Sequence, residues 1–165
     1  MEQGVTIRSA GTEDINTIVS LAYQVWPNAY GHILSGEQLQ YMLQLFYSPA
    51  ALAKQMQQHY FLLAQLYGEA VGFASFSAGN HPGIYKLHKI YVRTDIQGKG
   101  LGKALIDAVV SAIEIENATA LHLNVNRHNK AKTFYEKFGF SVIKEEDTDI
   151  GNGYFMNDYV MEKIV

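Results

Sequence analysis

Residues 85–103 read Y-K-L-H-K-I-Y-V-R-T-D-I-Q-G-K-G-L-G-K, and no other stretch narrows the fold so far. The segment up to Val92 carries Leu87, Ile90, Tyr91 and Val92 with no Gly or Pro between them, which is the composition of a strand. Gln97, Gly98, Lys99, Gly100, Leu101, Gly102 and Lys103 follow, and then Leu101, Leu105, Ala108, Val109 and Ala112 recur at helical spacing. A strand therefore runs into a glycine-rich turn that opens a helix. That order gathers free backbone N–H groups and the positive end of a helix dipole at one point, where phosphate oxygens bind well. Glycine has no Cβ, so the backbone can come close to the anion and take positive φ.

Two familiar phosphate motifs do not fit. The dinucleotide fingerprint G-x-G-x-x-G, counted from Gly98 and Gly100, needs a third glycine where Lys103 stands. The P-loop needs Gly-Lys-Ser/Thr, and Gly102-Lys103 is followed by Ala104. The spacing present is Q-x-x-G-x-G, from Gln97 through Gly100 to Gly102. It resembles the acetyl-CoA loop of the GCN5-related N-acetyltransferases (GNAT). Glycines at a strand–helix turn also serve as plain punctuation. Three alternating glycines with two lysines on this frame favour phosphate binding.

Composition limits the alternatives. The 165 residues suit one domain over residues 1–165, and 48% hydrophobic against 18% charged residues describes a globular chain. There is no cysteine, which removes disulfides, thiol nucleophiles and Cys-ligated zinc. The six histidines form no H-x-x-x-H or H-E-x-x-H pair, so no metal site is expected. No apolar run reaches membrane-spanning length and the first residues lack a charged-then-apolar leader, so no membrane role is expected and the cytoplasm is the default. Net charge is −3, yet residues 86–137 hold nine Lys or Arg against five Asp or Glu. A basic centre suits a phosphorylated co-substrate, and acidic flanks suit a cationic second one. A solvated surface that happens to cluster gives the same count. Nucleic acid is not an expected partner, because the total is acidic and no basic run occurs.

Taken in order, residues 5–8 suit a first strand, and Thr12, Glu13 and Asp14 start a helix that Pro27-Asn28 ends. Ser35 with Gln38 reads as a capping box for a second helix burying Leu39, Met42, Leu43 and Phe46. Ser48-Pro49 starts a third. Between the first two lies a loop over residues 26–32, containing Trp26, Tyr30 and His32, which is either self-packed or a wall for the acceptor. Residues 60–67 and 70–77 form a hairpin and lead through a turn at 80–83 into the strand at 85–92. The helix from Gly100 to about Asn117 is followed by a strand at 120–125, so these two strands are expected to be parallel, with the ligand at their carboxyl ends. Residues 129–137 suit a short helix capped by Asn129 and stopped at Gly139. Two last strands, 141–146 and 154–164, are expected to be joined by an acidic loop at 147–153.

Residues 129–140, N-K-A-K-T-F-Y-E-K-F-G-F, also resemble the GNAT segment N-x-A-x-x-F-Y-E-K-x-G-F. Two motifs in the right order, with the matching order of elements, extend the resemblance over essentially the whole chain. The N-terminal helices and the Met161-Glu162-Lys163 ending resemble, within that family, the bacterial spermidine/spermine N-acetyltransferases of the PaiA type. The resemblance implies an α/β fold: a GNAT-like mixed, mostly antiparallel sheet of about seven strands, with one parallel pair at the acetyl-CoA cleft and helices flanking it.

It also implies the chemistry. A free amine attacks the thioester of acetyl-CoA directly, with no metal and no covalent enzyme intermediate. A backbone N–H around Ile90, Tyr91 and Val92 serves the developing oxyanion. Tyr135 matches the family's general acid, though simple packing is the alternative; with a pKa of about 10 it keeps its proton at neutral pH. Asn129 matches an asparagine that contacts the CoA arm, and as a helix cap it has a structural reason to be there too. An alkylamine has a pKa of about 10, so only on the order of one molecule in a thousand is neutral at pH 7 and a proton acceptor helps. The histone acetyltransferases of the family carry a glutamate where Lys86 stands here. His88, two residues on, is a candidate base with an ordinary pKa of about 6.5. Deprotonation through water, with Glu145 or Asp147 attracting the cation, is the other route. Trp26, Tyr30, His32 and Tyr154 are the acceptor-binding candidates.

The expected function is acetyl-CoA-dependent N-acetylation of a small primary amine, with polyamines as the narrower class. The rivals are a protein or peptide N-acetyltransferase and a CoA-binding sensor without turnover. A homodimer formed by pairing of the last strands fits the pattern, but no residue demands it.

Overall fold

The computed structural model describes residues 4–165. Residues 1–3, part of the stretch read as lacking a leader, lie outside the described residues. Strand β1 (Val5–Ala10) leads through a 3-10 turn, Thr12–Asp14, into α1 (Ile15–Tyr30). Asp14 is buried and ties this entry together. It accepts from Arg8 at 2.7 and 3.0 Å and from the Gly11 amide at 3.0 Å. The Arg8 guanidinium holds its carboxyl below the usual range.

Helices α2 (Gly36–Tyr47) and α3 (Pro49–Gln55) follow. Ser35 accepts from the Gln38 amide at 3.1 Å and Ser48 from the Ala51 amide at 3.2 Å, the caps read from the sequence. The Gln38 side chain does not complete a capping box; it donates to the Phe155 carbonyl at 3.1 Å. Leu39, Met42 and Leu43 are buried as expected, but Phe46 is only half-buried and its neighbour Tyr47 is buried instead.

The rest runs β2 (Tyr60–Leu66), β3 (Glu69–Ala78), β4 (Ile84–Val92), α4 (Leu101–Ile115), β5 (Ala120–Asn126), α5 (Ala131–Lys137), β6 (Ser141–Gly151) and β7 (Tyr154–Ile164). The seven strands form one sheet in the order β1-β2-β3-β4-β5-β7-β6. β4 and β5 are parallel and every other pair is antiparallel. This is the mixed, mostly antiparallel α/β sheet with one parallel pair that the sequence implies.

Two expected boundaries are corrected. Proline does not end α1 at residues 27–28: Pro27 lies inside the helix, which runs to Tyr30. Trp26 is 4% exposed and packs on Tyr47 and Tyr91, and Tyr30 packs on Tyr91, so tertiary contact holds the last turn despite the hydrogen bond that proline forfeits. Residues 147–153 are not a loop. β6 continues to Gly151, and Asn152-Gly153 makes the turn with φ +55° and +78°. Positive φ at both central residues is the type I′ hairpin geometry that Asn-Gly favours.

The sheet is covered on both faces. Leu101, Leu105, Val109 and Ile113 of α4 pack with Leu87, Leu121, Leu123 and Met161. On the other face Ile18, Leu21, Trp26, Leu43, Tyr47 and Leu52 pack with Phe61, Leu63 and Phe73. Alternation along β2 explains this, because Phe61 and Leu63 belong to one cluster while Leu62 and Ala64 pack in the other.

One irregularity positions the site. On β3, Ser75 pairs with Lys89 and Phe76 with Leu87, so His88 is the extra residue of a bulge in β4. The β4–β5 pairing runs from Ile84–Ala120 to Leu87–Leu123 and stops there. Beyond it the two strands part.

Leu105 is fully buried at the centre of the α4 face. Replacing it with alanine removes about 2–5 kcal/mol of stability, which urea unfolding reads as a lower midpoint with an unchanged slope.

Candidate active site

The parting of β4 and β5 opens a cavity of about 760 Å³. One wall is Leu87 to Val92, the other Leu123, Asn124 and Val125, and residues of α1, α5 and the start of α4 complete the lining. Ile90, Tyr91 and Val92 thus line it. Their ladder on the β5 side has ended, so backbone groups on that edge face the cavity.

Gln97, Gly98, Gly100, Leu101, Gly102 and Lys103 supply the α4 end. Gly100 is the residue before the helix, with φ +78° and no side-chain cap. The first helical hydrogen bond is Ala104 N–H to the Gly100 carbonyl at 3.0 Å, which leaves the preceding amides free of helical partners. Gln97 fixes the loop by donating from Nε2 to the Val92 carbonyl at 3.2 Å. The glycines serve two ends. Gly98, at φ +91°, and Gly100 need the left-handed region, and a Cβ on either meets nothing within 4 Å. A Cβ on Gly102 would lie 2.8 Å from the Phe134 ring, so this glycine lets α4 and α5 approach closely. Lys103 pairs with Asp107 at 2.7 Å, and Lys99 is exposed outside the lining.

Tyr135 lines the opposite side and is 9% exposed. α5 holds it between Phe134 and Phe140, with ring centroids 5.5 and 5.8 Å away. Gly139, at φ +91°, turns the chain back so that the Phe140 amide donates to the Tyr135 carbonyl at 3.2 Å. Burial first, and the Tyr30 hydroxyl second, raise the Tyr135 pKa above its ordinary value, so the phenol is neutral. Asn129 lines the cavity and accepts from the Ala131 amide at 2.9 Å, so its side chain caps α5.

The acceptor candidates separate. Tyr30 lines the cavity, with its hydroxyl 2.8 Å from that of Tyr91, and exposed His32 is also on the wall. Trp26 lies beneath them, buried against Tyr30, Tyr47 and Tyr91. Tyr154 is away from the cavity lining and packs on Tyr41 at 5.3 Å. His88 Nε2 is 2.7 Å from Ser77 Oγ, and its ring stacks on His59 at 3.9 Å. Burial, then His59 and the two lysines Lys86 and Lys89, lower its pKa to about 3.

Three polar residues of this region escaped the sequence reading. Asn124 lines the cavity and donates to Asp158 at 3.4 Å. Asp158 is 6% exposed, and burial raises its pKa. Lys89 lines the cavity, with its ammonium 4.5 Å from the Tyr47 ring. Strand alternation from Lys86 would point Lys89 toward α4. The bulge at His88 shifts the parity, so that Lys89 meets α2 and Tyr91 meets α1.

The model of the acetyltransferase (GNAT) domain matches residues 33–163. A spermidine N(1)-acetyltransferase of Thermoplasma acidophilum is 26% identical over 96% of both chains. A spermine/spermidine N(1)-acetyltransferase of Bacillus subtilis is 30% identical over 54% of this chain and 65% of its own. The crystal structure of PaiA N-acetyltransferase from Thermoplasma acidophilum in complex with coenzyme A superposes with a TM-score of 0.83, at 26% identity, covering 98% of this chain and 99% of that one. The chain belongs to the GNAT acetyltransferase family. It is an N-acetyltransferase, and acetyl-CoA is its acetyl donor. Among the described residues no group of three or more His, Asp or Glu could hold a metal ion, and no helix is long and apolar enough to cross a membrane.

Two outcomes follow from this geometry. Gly100→Ala forces an L-residue into the left-handed region at a cost of about 1–2 kcal/mol. Titration calorimetry is expected to show roughly a five- to thirty-fold weaker Kd for CoA. For His88, the folded pKa of about 3 lies below the ordinary value of 6.5. Between those values the unfolded chain binds the extra proton, so stability falls as pH drops from 6.5 toward 3. His88→Gln is expected to flatten that acid limb in urea titrations at successive pH values.

Proposed function

We propose that the chain transfers the acetyl group of acetyl-CoA directly to the nitrogen of a small primary amine, and that residues 1–165 act as one catalytic domain. The carrying observation is that the free amides before α4 and the buried, protonated Tyr135 flank a single cavity opened by the parting of β4 and β5. In this reading Gln97 to Lys103 hold the pyrophosphate end, with Lys99 and Lys103 as nearby positive charges. Asn129 contacts the pantetheine arm. Backbone N–H groups among Ile90, Tyr91 and Val92 receive the carbonyl oxygen as it gains negative charge.

The amine nitrogen bonds to the thioester carbon and the C–S bond breaks. Tyr135 gives its proton to the departing sulfur, and CoA leaves as the free thiol. The ammonium loses one proton on becoming the nucleophile and another after attack; one reprotonates Tyr135 and one is released. At a pKa of about 3, His88 is too weak a base to take a proton from an alkylammonium. We assign that transfer to water at the open end of the cavity and give His88 a positioning role on β4. Glu145 and Asp147 lie 4.0 and 2.7 Å from Arg127, so their charge is partly committed.

Tyr30 and His32 form the acceptor wall, with Trp26 as its support; Tyr154 belongs to the site only through a larger acceptor. The names of the two relatives make spermidine and spermine natural first acceptors to test. We place the protein in the cytoplasm, a reading supported by a chain without cysteine. A dimer through the last strands would form at the edge of β6, where Glu145, Glu146, Asp147 and Asp149 oppose close pairing of two copies.

Tyr135→Phe is expected to lower kcat by about a hundred-fold or more, while CoA binding persists. Stopped assays of free-thiol release read the first and calorimetry the second. Unchanged kcat removes Tyr135 from the mechanism.

A further inference from the structure

The acceptor end of the cavity is the end away from α4, where β4 faces α1 and α2. Its polar wall is Tyr30, His32, His88, Lys89 and Asn124. Among the described residues no aspartate or glutamate lines the cavity at all. A polyamine brings two or more ammonium groups, and a site selecting one is expected to present carboxylates to them.

Lys89 is the unusual member of that wall. Its ammonium lies over the rings of Tyr47 and Phe46, at 4.5 and 5.7 Å, and among the described residues no carboxylate reaches it within ion-pair distance. A cation–π contact recovers only part of what an ammonium loses on leaving water. Burial accordingly lowers the Lys89 pKa to about 8. Lys86, on the same strand, likewise has no ion-pair partner among the described residues, and it is close enough to act on His88 and Asp158. Buried His59 Nδ1 has no hydrogen-bond partner. The nearby buried carboxylate, Asp158, stands behind Asn124, where Glu146, Lys86 and Arg127 also act on it. Among the described residues β4 therefore brings two lysines without ion-pair partners, Lys89 in the wall and Lys86 outside the lining, against one carboxylate behind β5.

We propose that the acceptor is an amino acid rather than a polyamine: its carboxylate is held by Lys89, with Lys86 adding to the field, and its amine faces the acetyl group on the Asn124 side. This rests on the acetyltransferase reading above. The transfer balances as before, with the C–N bond formed, the C–S bond broken and one proton released. The carboxylate is unchanged and serves only to hold and orient.

The test uses acceptor pairs that differ by the carboxylate alone: lysine with cadaverine, ornithine with putrescine, and phenylalanine with phenethylamine. The carboxylate-bearing member of each pair is expected to show kcat/KM about ten-fold or more above its partner. Lys89→Met, of similar length and apolar, is expected to bring that ratio toward one; its melting temperature and CoA affinity report whether the fold survives. Equal or better use of the decarboxylated member overturns the proposal, and the wild-type comparison alone can deliver that result. Acetylation of none of the six amines overturns it as well. In that case retained CoA binding places the fault in the acceptor assignment, whereas lost CoA binding means the acetyltransferase reading has itself failed.

Discussion

The parting of β4 from β5 after Leu87 is the constraint on which the site depends. Backbone N–H and C=O groups inside a protein need partners, and a sheet that opens at its centre leaves several without them. The fold tolerates this because the opening is narrow and built once. The bulge at His88 bends β4 away while Leu87–Leu123 remains paired, and Gln97 returns to satisfy the Val92 carbonyl. The groups left over face a cavity that a thioester can fill. The gap has the start of α4 on one face of the sheet and α1 on the other. In the proposed reaction the donor lies on the α4 side, where the free amides are, and the acceptor on the α1–α2 side. That arrangement supports direct transfer, since the two substrates of the proposed reaction meet across the gap without a carrier residue between them.

What could be read from the sequence was what is decided locally. The glycine loop lies within about twenty residues of the strand before it and the helix after it, a scale on which turn and capping rules operate. The crossover rule then fixes the parallel pair. The two misjudged boundaries failed for different reasons. At residues 152–153 the signal was present, because Asn-Gly is a strong hairpin turn, and the acidic residues before it obscured it. At Pro27 no local signal existed. The last turn of α1 is held by the contact of Trp26 and Tyr30 with Tyr47 and Tyr91, residues from α2 and β4.

The site was legible to the same depth. Tyr135 and the loop glycines sit in short motifs, and the structure places both on one cavity. The neighbours of His88 were not legible, because a bulge changes which face each later residue of β4 takes. Counting by twos from Lys86 reaches His88 correctly, but it assigns Lys89 and Tyr91 to the wrong sides. Asp158 is also invisible to local reading. Its partner Asn124 is 34 residues away, and only the β5–β7 pairing brings them together.

Burial disfavours the charged form of Tyr30, Tyr91, Tyr135, His88 and Lys89 alike, and in the proposed mechanism it decides the assignment of the proton steps. Tyr30, Tyr91 and Tyr135 are all pushed up and keep their protons. His88 is pushed down to about 3 and Lys89 to about 8. An environment that disfavours charge suits an acid that must be neutral when the thiolate forms, and it strengthens amide donors aimed at the oxyanion. The same environment is poor for a base, because a base that accepts a proton from an ammonium becomes charged where charge is least tolerated. In the proposed mechanism the acid and the oxyanion donors therefore occupy the buried part of the cavity, and the proton leaves the amine where water can carry it.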